Sequence, residues 1–318
     1  MDSKTLKHMI WLIRKNILQM IAFPWRDKSV KRAVILGIAA AFCYSIMVFL
    51  VKLISGHVAE SITVFIRFAV SLFWIIFVLG YKRLRGEYFT LKTKHPGLHL
   101  LRAFSGFVTI FSLYIALKYV PLVDANLLAM TYTLFIPLLS FIFLGTRTST
   151  KNWLVLLVGF VGIIFILKPC GGVFNPMMLV ALVAGFASAV SFLGVHELAK
   201  DDSHYTIMLY YFPLTFVLSG VFSIFNWRTP DLITMLVLIM IGIVATAYQE
   251  LLTRALLCAS PKIVSPILYL SVVFSGFLGW LFWGYVPDLF FLLGIILVIL
   301  GCVFSIFYAQ QEPLPPEV

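Results

Sequence analysis

The chain has 318 residues, 62% of them hydrophobic and 12% charged, whereas an ordinary soluble domain is about half apolar and about a quarter charged. That balance excludes a soluble fold and leaves room for roughly ten membrane-crossing helices of about 20 residues each. The formal net charge of +11 would suggest a nucleic-acid partner if it were spread evenly, but it is confined to one set of alternating loops.

Residues 1–32 carry eight Lys or Arg. Between Lys4 and Phe23, Lys4, Lys7, Arg14 and Lys15 alternate with Leu6, Ile10, Ile13, Ile17 and Ile21. This pattern suits a helix lying on the cytoplasmic membrane surface. It lacks the clean apolar core and small-residue site of a cleavable signal. Ten apolar runs follow, at about 33–53, 61–81, 98–119, 123–144, 152–167, 177–199, 206–226, 234–258, 264–283 and 288–309. The fifth ends in the turn-rich link Lys168-Pro169-Cys170-Gly171-Gly172, the midpoint of the chain.

Basic residues mark the cytoplasmic side of a membrane protein. With the N-terminus inside, seventeen Lys or Arg fall in cytoplasmic segments and four outside, while Arg67, Arg102 and Arg254 lie within spans. Both termini are therefore expected in the cytoplasm, including the tail 310–318. A basic inner face attracts anionic lipid, so the charge requires no nucleic acid. Cys43, Cys170, Cys258 and Cys302 show no metal-ligand or CxxC spacing, so neither a disulfide framework nor a metal site is expected.

The halves resemble one another at an offset of 139 residues: Ala116-Leu117 falls on Ala255-Leu256, Gly145 on Gly284 and Gly162 on Gly301. Five spans per half turn the second half over relative to the first, an architecture of secondary transporters with the site near the midplane. The expected fold is an all-α integral membrane protein of ten transmembrane helices in two inverted five-helix repeats, residues 33–170 and 171–309.

Several stretches carry a family likeness: Arg67-Phe68, Arg102-Ala103-Phe104-Ser105-Gly106, Tyr114 through Ala125 (YIALKYVPLVDA), Pro137, Gly145 and Gly159-Phe160-Val161-Gly162. In these the chain resembles the drug/metabolite transporter superfamily, specifically its EamA-type ten-span members. The Arg-rich opening of span three and the ALxxxPLxDA pattern are similar to S-adenosylmethionine uptake carriers and to amino-acid and metabolite exporters. The resemblance implies a multi-pass protein, as of a bacterial inner membrane, that moves a small organic metabolite. The family often has Glu after the glycine ending span four; this chain has Thr146, with Tyr285 at the repeat-equivalent position.

Candidate site residues are polar groups inside apolar runs. Each charge costs about 2.5–3.5 kcal/mol near a bilayer centre, so Glu250 and Arg254 need a reason to be there. They lie four residues apart, on one helical face. Either they tether helices as a self-neutralising pair, or they form a polar cavity wall in which Glu250 holds a substrate ammonium or sulfonium, or a coupling proton. An apolar setting would raise the Glu250 pKa. Thr246 continues that face. Arg67 is a carboxylate ligand or an anchor reaching toward Glu60, and Arg102 is expected to snorkel to the cytoplasmic interface. Thr109 shares a small-or-polar stripe with Arg102, Ser105, Gly106 and Ala116, and Tyr44, Ser188, Asn126, Tyr132 and Tyr269 complete the substrate-binding candidates.

The leading expectation is a secondary carrier, working by alternating access, for a zwitterionic or cationic metabolite such as S-adenosylmethionine or an amino acid, held between Glu250 and an arginine. An exporter of drugs or other metabolites is the alternative. No GxxxxGK[ST] motif occurs, and no cofactor is expected. Ser105-Gly106 and Ser275-Gly276 lack a histidine at depth to serve as base, so an intramembrane enzyme is a remote reading and no catalytic residue is assigned. A homodimer is left open.

Overall fold

The computed structural model describes residues 28–86, 92–145, 175–259 and 264–300 apart from 265, 266, 287, 291, 298 and 299, together with 154, 157–159, 161, 162, 164 and 165. The expected surface helix at 4–23, the midpoint link and the tail 310–318 lie outside the described residues.

Among those residues the helices are α1 (Lys28–Ile54), α2 (Glu60–Leu84), α3 (Pro96–Tyr119), α4 (Leu122–Ala129), α5 (Tyr132–Leu144), α6 (Met177–Leu198), α7 (His204–Ile224), α8 (Leu232–Cys258) and α9 (Leu270–Trp283). Taking α4 and α5 as one crossing, seven helical segments are long and apolar enough to span a bilayer. The chain is a multi-pass, all-helical membrane protein. Its outer surface bears large apolar side chains such as Phe73, Phe77, Val217 and Ile233, as a lipid solvent requires.

Helix ends follow local chemistry. Pro96 sits in the first turn of α3, where its missing N–H costs nothing. That helix stops where Pro121 forces Val120 into extended backbone, φ −119° and ψ 145°. Its last carbonyls are then capped from α1: Lys52 Nζ donates to Leu117 O at 2.6 Å and Val120 O at 2.9 Å. Ser203 caps α7, its Oγ accepting from Thr206 N at 3.2 Å, and Asp231 caps α8 by accepting from Thr234 N at 3.3 Å. Both α5 and α9 end on a left-handed glycine, Gly145 (φ 63°) and Gly284 (φ 61°).

The fourth crossing is broken. Met130 and Thr131 interrupt it between α4 and α5, and Thr131 Oγ1 turns back to Leu128 O at 2.6 Å. Leu268 and Tyr269 form a turn ahead of α9 at nearly equivalent positions of the second half. The break is packed closely from α6. A Cβ on Gly185 would lie 2.7 Å from the Leu128 carbonyl oxygen and still nearer the Thr131 hydroxyl, so only glycine fits there.

Helix packing pairs off between the halves. The most extensive interfaces are α3 on α6 and α1 on α8; α2 on α8 has its counterpart in α7 on α3, and α1 on α9 in α6 on α4 and α5. The core between them is mostly aliphatic and aromatic, but its largest fully buried side chain is Arg67.

Candidate functional site

A narrow pocket of about 30 Å³ lies where α1, α3, α6, α7, α8 and the α4–α5 break meet. Its polar wall comprises Tyr44, Arg102, Thr109, Tyr132, Ser188, Ser191, Tyr211, Tyr248 and Gln249. No acid lines it.

Arg102 dominates this wall. It is 4% exposed, so it does not snorkel as expected. The reason is the space around it. Gly106, one turn further along α3, leaves the guanidinium room, since a Cβ there would stand 2.6 Å from both Arg102 Nη1 and Tyr211 Cε2. The Tyr211 ring offers its face 4.0 Å from the guanidinium carbon, and Nη1 donates to Ser191 Oγ. Nε has no hydrogen-bond partner.

Arg67 is buried just beyond this wall, at 1% exposure. It does not anchor to Glu60, whose Oε1 instead lies 2.9 Å from Lys118 Nζ. Its guanidinium rests 4.7 Å from the centre of the Phe68 ring and 6.0 Å from that of Tyr114, with Nε and Nη1 unpartnered. Phe68 meets Tyr211 edge-on at 5.9 Å, so one aromatic wall joins the two arginines. Tyr248, packed at 4.9 Å against Tyr44, feels the charge of both.

Glu250 and Arg254 lie elsewhere. With Thr246 they line a groove of about 380 Å³ between α2 and α8, flanked by exposed Trp74 and Ile243. Glu250 Oε2 is 2.6 Å from His204 Nε2 and 3.2 Å from Arg254 Nη2. The carboxylate is therefore shared by two partners instead of standing isolated in an apolar wall, and it pairs with neither Arg67 nor Arg102. Thr246 Oγ1 is 2.7 Å from the Ser71 hydroxyl and ties α8 to α2.

Asn126 and Tyr269 join the broken fourth crossing to α9 and the turn before it. Asn126 Nδ2 donates to Ser271 O at 3.0 Å and Ser275 Oγ at 2.7 Å. Tyr269 Oη donates to Met130 O at 3.1 Å and lies 2.7 Å from Thr133 Oγ1.

Of the sequence candidates, Tyr44, Arg102, Thr109, Tyr132 and Ser188 thus converge on the cavity; Thr246, Glu250 and Arg254 face the groove; Arg67 backs the cavity; Asn126 and Tyr269 brace the break. Sequence reasoning missed Ser191, Tyr211, Tyr248 and Gln249. Gln249 carried a signal, an amide within an apolar span, but the adjacent Glu250 drew the attention. His204, at the start of α7, reaches across 46 residues of sequence to Glu250.

The model of the EamA-like transporter family matches residues 31–168 and, again, 175–307. A protein of Pseudomonas aeruginosa named Pseudopaline exporter CntI is 28% identical over 275 residues, 86% of this chain and 95% of its own length. An S-adenosylmethionine uptake transporter of Rickettsia bellii is 27% identical over 72% of this chain and 78% of its own. A riboflavin transporter of Vibrio cholerae is 30% identical over the same shares, 72% and 78%. A crystal structure 19% identical in sequence superposes with a TM-score of 0.62 over 88% of this chain and 99% of that one, a likeness of fold.

Proposed function

Because the chain belongs to the EamA-like transporter family, we propose that it is a secondary carrier that moves a small organic metabolite through the central cavity by alternating access. Transport, and not enzymatic chemistry, is the work of the relatives named above. The observation that carries the reading is the cavity itself: narrow, bearing several polar side chains, walled by helices of both halves and set against a break in the fourth crossing. Interrupted helices at matching positions of two halves are where transporters hold substrate.

The architecture proposed is ten spans in two inverted five-span repeats, 33–170 and 171–309, with both termini cytoplasmic, in a bacterial inner membrane. The pairing of α3·α6 with α1·α8, and of α2·α8 with α7·α3, supports exchange-related halves. The charge bias of the loops supports the orientation. Anionic lipid would gather at the basic inner face.

The substrate-binding residues proposed are Tyr44, Arg102, Thr109, Tyr132 and Ser188, with Arg67 behind them. Asn126 and Tyr269 hold the break that shapes the cavity; Thr246 ties α8 to α2 and Glu250 ties it to α7, with Arg254 pairing Glu250 along α8. The relatives include both an exporter and uptake transporters, so direction is a matter for experiment. Purified protein in liposomes should accumulate or exchange labelled metabolites from a panel of amino acids, S-adenosylmethionine and riboflavin, with and without a pH gradient. No flux of any member in either direction would sink the carrier reading. A reporter after residue 318 should read cytoplasmic and one near residue 172 external; any other pattern removes the inverted repeat.

A further inference from the structure

The central cavity has the wrong electrostatics for a cation. Arg102 in its wall and Arg67 behind that wall lack acids, and the acids of the described helices are engaged elsewhere. Glu250 is held by His204 and Arg254, Glu60 by Lys118, Asp202 by His99, and Asp124 by the Tyr285 hydroxyl at 2.8 Å. Burying an unpaired ion costs several kcal/mol. The aromatic faces of Phe68 and Tyr211 return about 0.5–2 kcal/mol each, and the Ser191 contact adds about 1.5–3 kcal/mol. These do not balance two guanidinium groups whose Nε atoms both lack an acceptor.

Resting on the transport reading of this same cavity, we propose that it is an anion site: the transported metabolite carries a carboxylate that Arg102 binds, with Arg67 supplying the second positive charge behind the Phe68–Tyr211 wall. A guanidinium presents two parallel donors that match a carboxylate, and the free Nε of Arg102 leaves one such edge open. Thr109 and Ser188, whose hydroxyls lie 3.4 Å apart, and Gln249 are left to hydrogen-bond the rest of the molecule. At about 30 Å³ the cavity holds little more than a water, so it must widen to load. The bound anion then neutralises a charge that the empty carrier keeps buried, which favours closure around a loaded site over closure around an empty one.

The test uses the full-length protein in detergent and in liposomes, with succinate, glutamate, chloride and choline as probes. Succinate or glutamate at saturating concentration should raise the thermal unfolding midpoint by about 2–4 °C, and choline should not. Arg102→Gln should abolish the protection without lowering the midpoint of the empty protein, and Arg67→Gln should weaken it. No protection by either carboxylate, protection that survives Arg102→Gln, or equal protection by chloride alone overturns the proposal. So does an empty Arg102→Gln protein that melts lower than wild type, because that marks a structural arginine. Arg102→Lys keeps the charge but loses the fork, and should retain part of the protection.

Flux separates this failure from failure of the transport reading. Choline uptake that is indifferent to carboxylates and to Arg102→Gln keeps the carrier and removes the anion site. Carboxylate protection with no flux of any probe keeps the site and removes the carrier.

Discussion

Two neighbouring residues of α8 face two different worlds. Glu250 looks into a wide groove of about 380 Å³ that opens beside exposed Trp74 and Ile243, and its charge is met by His204 and Arg254. Gln249 looks into a narrow pocket of about 30 Å³ where Arg102 has no acid. The larger, more charged place is the better balanced one. A compensated charge at a helix interface is a fastening, and it gains little from a ligand. An uncompensated buried charge is a standing cost that a ligand can relieve. Size and charge count would select the groove, and charge balance selects the cavity.

The comparison breaks most visibly at Gly106. A methyl group there would push against Arg102 Nη1 and the Tyr211 ring, both 2.6 Å away. Overpacking costs about 1–3 kcal/mol, which at about 1.4 kcal/mol per tenfold lowers substrate affinity by about 5–140-fold. Substrate concentration-dependence of flux measures it, and unchanged affinity in Gly106→Ala would dissociate Arg102 from binding.

Gly185→Ala tests the cavity's frame. Its new Cβ meets the backbone oxygen of Leu128 at 2.7 Å, and backbone cannot swing aside as a side chain can. A loss of about 1–3 kcal/mol in stability is expected, read as a lower thermal midpoint together with reduced flux. A wild-type midpoint would mean that α6 and the break are not in contact.

Exchanging the two α8 neighbours sharpens the contrast. Gln249→Leu should cut flux about five- to tenfold through loss of a neutral hydrogen-bonding group while leaving the melting midpoint near wild type. Glu250→Gln should do the reverse, lowering the midpoint by weakening the His204 and Arg254 contacts, with substrate affinity nearly unchanged. If Glu250→Gln instead changes affinity or the pH dependence of flux, the groove takes part in transport.

The smallest effect lies outside both places. Asp201, in the α6–α7 loop, has its carboxyl held below the ordinary value of 3.8 by the His95 hydrogen bond, with Lys94 adding to it. A depressed carboxylate contributes stability that is full above its unfolded value and lost as pH falls through its folded value. Asp201→Asn should therefore narrow, slightly, the stability gap between neutral pH and pH below about 3.8, and leave flux unchanged. A large effect on flux would make this exposed contact part of a gate.

The membrane class was legible in composition, and so were the long apolar helices, because hydrophobic runs need no tertiary information. Tyr44, Thr109, Tyr132 and Ser188 could be found as polar groups in such runs. The burial of Arg102 could not. It depends on Tyr211 arriving from α7 and Ser191 from α6, neither of which has a fixed sequence distance from α3. The second partner of Glu250 was illegible for the same reason: His204 begins another helix. Side-by-side residues in a helix differ by about 100° in facing, so the polar stretch around Glu250 held two addresses and not one.

Tyr269 donates to the carbonyl of Met130, 139 residues away, the same offset that superimposes the two halves. Each is the other's counterpart, so on the inverted-repeat reading the bond straddles the axis that relates them. Methionine has no hydroxyl with which to return it. Exchanging the conformations of the halves, as alternating access would do, cannot regenerate this contact in mirror form. The two access states would then differ by about one hydrogen bond, about 0.5–1.5 kcal/mol, or roughly a factor of 2–12 in population. A symmetric architecture would thus carry a built-in resting side.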